Sequence, residues 1–266
     1  MVPRILMLPG YTQNAAIFSG RIGALRRALK DSADLVFVDP PHVVDMPTDP
    51  SDFKNKFDSD ASAAPTSDAD TPRAWWFAET HDGQYRKFIK FDETLRYLRH
   101  ILETQGPFDG VFGFSQGAAC GAILTALVER PSLDPIFAAP SENPQVQWPP
   151  APFRFAILSA GFFPLDPRAS AYFDIKLKTP TLHVLGRGDT IVGEERSVPL
   201  TESFEDARVE WHAGGHHTPS KASWRQFFQA YIEAFGDEGQ GVEVAKSLPS
   251  PSAGGADTPV EVAGRL

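Results

Sequence analysis

The stretch FDGVFGFSQGAACGAIL, residues 108–124, reads as a strand, a sharp turn and a helix. Val111, Phe112 and Phe114 are apolar and β-prone. Gly113-Phe114-Ser115-Gln116-Gly117 fits G-x-S-x-G, and a run of small residues and helix formers follows. In a nucleophile elbow the serine stands on a strained strand-to-helix turn, with its hydroxyl pushed out above the sheet. A side chain at either flanking glycine would clash with the neighbouring strand or helix. The new helix points its N-terminus at Ser115, so the backbone N–H of Gln116 can meet a developing oxyanion. Glycine and serine are common, so the motif alone is weak. The apolar run before it and the Ala/Gly-rich helix after it carry the reading against an ordinary βα turn with a capping serine.

Working outward, alternating strands and helices appear on both sides. Arg4 to Leu8 is a continuous apolar run, as expected for a strand buried on both faces. It runs into Pro9-Gly10-Tyr11-Thr12-Gln13-Asn14, a loop placed where such folds supply a second oxyanion N–H, here assigned to Tyr11. Residues 15–30 carry apolar positions at helical spacing, and 33–39 read as a second strand closed by Pro40-Pro41. Residues 42–72 turn rich in Asp, Ser, Pro and Thr and read as a polar insertion or long loop. Segment 73–87 opens with Trp75, Trp76 and Phe77, three adjacent aromatics that either line an acyl pocket or lid, or anchor the loop to the core. Phe88, Phe91, Leu95, Leu98 and Leu102 predict a helix over 88–105, stopped by Gly106-Pro107.

Beyond the elbow helix, 131–152 is Pro-rich and irregular. Three more strands are expected over 153–159, 180–186 and 207–211, then an amphipathic helix over 221–235. Phe162 and Phe163 follow the first of these strands, near the presumed site. Such alternation predicts an α/β fold of the α/β-hydrolase type: one domain over 1–235, with a mostly parallel central sheet and helices on both faces. Residues 236–266, rich in Gly, Ser, Pro and Ala, are expected to be a disordered tail.

Composition limits the function classes. The chain has 266 residues, enough for one large domain, and a formal net charge of −9, which argues against nucleic acid and anionic membrane surfaces as partners. A single cysteine excludes an internal disulfide and fits a reducing compartment. No apolar run reaches the ~20 residues of a membrane span, and the N-terminus does not read as a signal peptide. A cytoplasmic protein is expected.

In parallel α/β sheets the site lies beyond the carboxyl ends of the strands. Ser115, Asp189 and His216 fall at such ends in the chain order Ser…Asp…His of α/β-hydrolases. A serine hydroxyl needs a base to take its proton, here His216, and a carboxylate to fix the imidazole tautomer, here Asp189. His216 is preferred to His217 because it follows the Gly214-Gly215 pair directly. Asp166 and Asp206 are rival acids, and Cys120 reads as a packing residue inside the helix. Nothing in the pattern calls for a metal or an organic cofactor.

Several of these segments together resemble a known family: LPGYTQNAAIF (8–18), RAWW (73–76), GPFDGVFGFSQGAA (106–119), GRGD (186–189) and HAGGHHTP (212–219). They are similar to the fungal serine hydrolase family, FSH, with its L-H-G-[FY]-x-Q-N loop, GPFDG…GFSQGA elbow and G-G-H-x-[VT]-P loop. The resemblance spans residues 4–235 and maps nucleophile, acid and base onto Ser115, Asp189 and His216. Pro9 stands where the family usually has His. The resemblance implies hydrolysis of small-molecule carboxylic esters or acyl thioesters. It also implies an alternative, release of polyketide chains from an acyl carrier or polyketide synthase. An acyl transferase with the same triad, and a non-catalytic binding protein on this fold, are the competing classes. The set Trp75, Trp76, Phe77, Phe162 and Phe163 suggests an apolar acyl group.

Overall fold

The computed structural model describes residues 2–45, 70–81, 85–236 and 241–252. Its centre is a six-stranded sheet built from β1 (Arg4–Leu8), β2 (Asp34–Phe37), β7 (Gly110–Phe114), β8 (Phe155–Ser159), β9 (Thr181–Gly186) and β10 (Ala207–His212). The spatial order is β10-β9-β8-β7-β1-β2, and every pairing is parallel. Alternate residues of each strand feed two separate cores, as the period of two requires. Leu6, Leu8, Val111, Ala156 and Leu158 face one side. Ile5, Met7, Phe112, Phe114, Phe155, Ile157, Leu182 and Val184 face the other. Both faces are apolar because helices cover both, which is why the strands read as unbroken apolar runs.

On the first face lie α3 (Phe91–Gln105), the elbow helix α4 (Gln116–Glu129), α5 (Pro135–Ala138) and α6 (Pro167–Ala171). Residues of α1 (Ala15–Arg21), α2 (Gly23–Ala28), α8 (Ala222–Ala234) and α9 (Gly241–Ser247) build the second core. Helix α7 (Glu194–Thr201) joins β9 to β10. Two small antiparallel pairs stand apart from the sheet. The first is β3 (His42–Val43) with β4 (Arg73–Ala74), and the second is the hairpin β5 (Phe77–His81) with β6 (Tyr85–Ile89).

Several expectations need correction. The helix expected over 15–30 is two helices that meet at Ile22, which is both the last cap of α1 and the first cap of α2. Gly20 and Gly23 flank that break, and glycine is a poor helix former. Phe88 belongs to a strand, not to the following helix. It pairs with Ala78, its N–H donates to Asp166 Oδ2 at 2.8 Å, and Lys90, with φ 64°, turns the chain into α3. Its three-residue spacing from Phe91 mimics one more helical turn. Of the tail expected to be disordered over 236–266, residues 237–240 and 253–266 lie outside the described residues, and the part described contains α9, whose Ala245 is buried. Arg208 of β10 donates to the carbonyls of Ala245 and Leu248, which satisfies the end of that helix. Of the insertion expected over 42–72, residues 46–69 lie outside the described residues. Its margins are pinned side by side, with Val44 N–H donating to Pro72 O at 2.9 Å.

Candidate active site

β7 ends at Phe114; Ser115 follows with its backbone at φ 53° and ψ −118°, and α4 starts at the next residue. Only close packing explains this turn. A Cβ at Gly117 would lie 2.1 Å from Leu8 O and 2.3 Å from Pro9 O, both backbone atoms. One at Gly113 would lie 2.2 Å from Gly117 O. Both glycines of the motif are therefore required by sterics. The Ser115 N–H donates to Ser159 O of β8 at 2.9 Å, which ties the strained residue to the sheet.

Asp189 follows β9 and His216 follows β10, and the two loops meet over Ser115. Asp189 Oδ1 accepts from the N–H groups of Ile191 (2.9 Å) and Val192 (2.8 Å). Asp189 Oδ2 lies 2.7 Å from His216 Nδ1, and His216 Nε2 lies 2.9 Å from Ser115 Oγ. The Asp189 side chain is 3% exposed. Burial alone would raise its pKa, but the bonds from His216 and from the N–H groups of Val192 and Ile191 outweigh that and hold it below the ordinary carboxylate value. An ionised carboxylate only accepts, so His216 Nδ1 carries the proton and Nε2 is left to accept from the Ser115 hydroxyl. Phe114 packs its ring 5.1 Å from the imidazole and backs it from the elbow side.

The rivals lie elsewhere. The His217 ring stacks edge-on against His212, 4.7 Å away. Asp166 caps α6 through the N–H groups of Arg168 and Ala169 and accepts from Phe88. Asp206 pairs with Lys246 at 2.6 Å. Cys120 is buried, and its thiol pKa is pushed up by desolvation, the opposite of an activated nucleophile.

Among the aromatics, Trp75 and Trp76 are fully buried, and Trp76 stacks on Phe88 at 4.5 Å. Phe77 is half-buried at the start of the hairpin. Phe162 and Phe163 are half-buried in the segment that starts at Gly161, beside the first turn of α4, where a Gly161 Cβ would lie 3.0 Å from Ala118 Cβ. The guanidinium of Arg196 covers the Phe162 ring at 4.5 Å. Tyr11 lies in the half-buried turn after β1, next to Thr12 with φ 64°.

Sequence reasoning assigned Gln116 only a backbone role, yet its side chain is a second structural element. It accepts from Trp75 N–H at 2.9 Å and donates to Trp76 O at 2.8 Å. The signal was a buried polar residue type inside an otherwise small and apolar helix start. Arg196 and Phe114 carried no comparable signal.

Among the described residues, no group of three or more His, Cys, Asp or Glu side chains is placed to hold a metal ion. No helix among them is long and apolar enough to cross a membrane. Residues 1–228 match the family described as serine hydrolase (FSH1). The chain is 36% identical over 242 residues to esterase OVCA2 of Danio rerio, covering 87% of this chain and 97% of that protein. It is 34% identical over 222 residues to a Schizosaccharomyces pombe protein called dihydrofolate reductase, covering 84% of this chain and 45% of that longer protein. The solved structure of Zea mays acyl-protein thioesterase 2 superposes with a TM-score of 0.53 at 17% identity, over 88% of this chain and 94% of that one. At that identity the likeness concerns the α/β-hydrolase fold.

Proposed function

This chain belongs to the serine hydrolase (FSH1) family, and from that premise we propose that it cleaves carboxylic esters or thioesters of apolar acyl chains through Ser115, His216 and Asp189. The observation that carries the reading is the pair of contacts Asp189–His216 (2.7 Å) and His216–Ser115 (2.9 Å), made by three residues from separate strand ends. His216 Nε2 takes the hydroxyl proton as Ser115 Oγ attacks the acyl carbon. The carbonyl oxygen becomes an oxyanion, held by the N–H groups of Gln116 and Tyr11. Collapse expels the alcohol or thiol, which receives the proton from His216 and leaves an acyl-serine. Water then attacks the acyl carbon as His216 takes one of its protons. The second tetrahedral intermediate collapses by breaking the bond to Ser115 Oγ, which regains the proton from His216 as the carboxylic acid leaves. Asp189 stays ionised throughout and stabilises the imidazolium.

Phe77, Phe162 and Phe163 supply the acyl-facing surface, with Trp75 and Trp76 as its backing. The buried single cysteine fits a cytoplasmic setting for this chemistry. The test is hydrolysis of p-nitrophenyl esters of increasing acyl length, and of an N-acetylcysteamine thioester that mimics a carrier-bound chain. Wild type and Ser115→Ala are measured side by side. In a well-studied serine protease, loss of the nucleophile costs on the order of a million-fold in kcat, and a collapse of that order is expected here. Retained turnover and retained fluorophosphonate labelling in Ser115→Ala would sink the assignment. A rate that does not rise with acyl length would remove the apolar specificity.

A further inference from the structure

Residues 71–76 form a strap of backbone between the loop after β1 and the start of the elbow helix, and it is hydrogen-bonded to both. On the loop side, Trp75 Nε1–H donates to Pro9 O (2.8 Å), Thr12 N–H donates to Arg73 O (2.8 Å) and Asn14 Nδ2–H donates to Thr71 O (3.1 Å). On the elbow side, Trp75 N–H donates to Gln116 Oε1 (2.9 Å) and Gln116 Nε2–H donates to Trp76 O (2.8 Å). Thr94 Oγ1 of α3 donates to Trp75 O, so the strap is held from a third direction. Trp75 is 0% and Gln116 6% exposed. A buried amide and a buried indole N–H are costly unless partnered, and these are partnered across 40 to 66 residues of sequence. Core filling alone asks only for apolar side chains of this size.

The bonds converge on one piece of geometry. Pro9 has no N–H, so the loop can be hydrogen-bonded at that residue only through its carbonyl. That carbonyl accepts from the Trp75 indole and lies so close to the elbow helix that a Cβ on Gly117 would stand 2.3 Å from it. Gln116, whose own N–H starts the elbow helix, holds the other side of the same tryptophan.

We infer that the Gln116 side chain and the Trp75 indole are positioning residues that fix the spacing between the two oxyanion donors, one on the loop and one on the elbow. The inference rests on the reading of Ser115 as nucleophile and of the Tyr11 and Gln116 N–H groups as those donors. A donor displaced by a fraction of an ångström loses transition-state stabilisation, while ground-state binding in the acyl pocket is untouched.

The experiment compares wild type, Gln116→Met and Gln116→Glu. Methionine keeps length and removes both bonds; glutamate keeps the acceptor for Trp75 N–H and loses the donor to Trp76 O. Thermal melts establish folding, and kcat and KM are read on p-nitrophenyl butyrate. Affinity is read for an alkyl trifluoromethyl ketone, whose adduct with the serine places an oxyanion in the hole, and for the matching methyl ketone. The expected result for Gln116→Met is a fall in kcat of about 10- to 100-fold, the scale of a small misplacement, with KM unchanged. Trifluoromethyl ketone affinity falls by the same factor, methyl ketone affinity does not, and Gln116→Glu lies between. Wild-type kcat in a folded Gln116→Met, or equal weakening of both ketones, overturns the inference. Should Gln116→Met not fold, 3-benzothienylalanine at position 75 replaces the indole N–H by sulfur in the same shape, and the ketone ratio decides in the same way. Ser115→Ala separates the layers. If it stays active, the underlying reading has failed; if it is inactive while Gln116→Met keeps full kcat, only the positioning role has failed.

Discussion

Past the strand ends, the loops that carry Asp189 and His216 are joined to each other by backbone, whereas the loop that carries Tyr11 and the helix start at Gln116 are joined mainly by side chains. At the first end, β9 and β10 run in parallel register to Gly186 and His212. The pairing continues past the strands, with Arg187 N–H donating to His212 O (2.9 Å) and Gly188 N–H to Gly214 O (3.1 Å). At the second end, the Trp75 indole reaches from the strap to Pro9 O, and the side-chain amides of Gln116 and Asn14 reach the strap from elsewhere in the chain. Backbone pairing depends on strand register and tolerates most side chains. A side-chain clamp depends on particular atoms at particular positions. The Asp189–His216 end of the candidate site is thus robust in sequence, and the Tyr11–Gln116 end, which the proposed mechanism uses for the oxyanion, is exact in identity.

That contrast can be broken in graded steps. Asp189→Asn tests whether the first end needs the carboxylate of the proposed triad or orients His216 through backbone alone. In a serine protease this exchange leaves geometry intact and lowers kcat about 10⁴-fold through the wrong imidazole tautomer, and a similar fall is expected in steady-state kinetics on a p-nitrophenyl ester. A loss below tenfold would mean that backbone alone orients His216. The same variant has a signature in acid. The folded-state pKa of Asp189 is depressed, so its ionised form adds stability above the ordinary carboxylate range, and that contribution is lost as pH falls through the folded value. The gap in unfolding free energy between wild type and Asp189→Asn, from urea titrations, should therefore shrink towards acid pH.

Gly186→Ala comes next. The added Cβ would lie 2.4 Å from Gly215 O and 2.6 Å from Gly214 O, atoms of the loop that carries His216. Neither is the end of a flexible side chain, so the loop itself must shift. A loss of roughly 1–3 kcal/mol in unfolding free energy is expected, the usual scale of overpacking, with a fall in kcat. Unchanged kcat would show that the backbone-paired end has slack.

The smallest effect on catalysis is expected at His183, buried on β9 beside Thr181 and Phe204. Burial lowers its pKa to about 3. Between that value and the ordinary one near 6.5, the unfolded chain holds a proton that the folded chain does not, so stability falls as pH falls through this window. His183→Leu should flatten that dependence by up to about 1.4 kcal/mol per pH unit, measured by urea unfolding between pH 4 and 6, and leave kcat at neutral pH unchanged. A fall in kcat would mean that the first end also depends on buried polar identity, and the contrast would lose its force.

Much of this was legible along the chain because it is local. The six sheet strands were found by runs of apolar residues, and the elbow by two glycines, a serine and what flanks them. The pair Gly214-Gly215 pointed to His216 rather than His217, and the carbonyls of that pair approach β9 at Gly186, where a Cβ would lie 2.4 Å from Gly215 O. Local signals also misled. Phe88 continues a helical spacing but is held in a strand by Asp166, a residue 78 positions away. Helix α9 hides in a Gly- and Ser-rich tail because its end is satisfied by Arg208 of a distant strand.

By itself, the sequence determined the α/β class, the elbow and the identity of three residues at strand ends, because hydrophobic period, turn sterics and chain order are properties of neighbours. Tertiary structure alone decided that those three residues meet within hydrogen-bonding distance. It alone also decided that the tryptophans are buried struts and that Gln116 reaches across to them. These are contacts between residues 27 to 101 positions apart. Their geometry is fixed by how the sheet orders its strands, which no local pattern encodes.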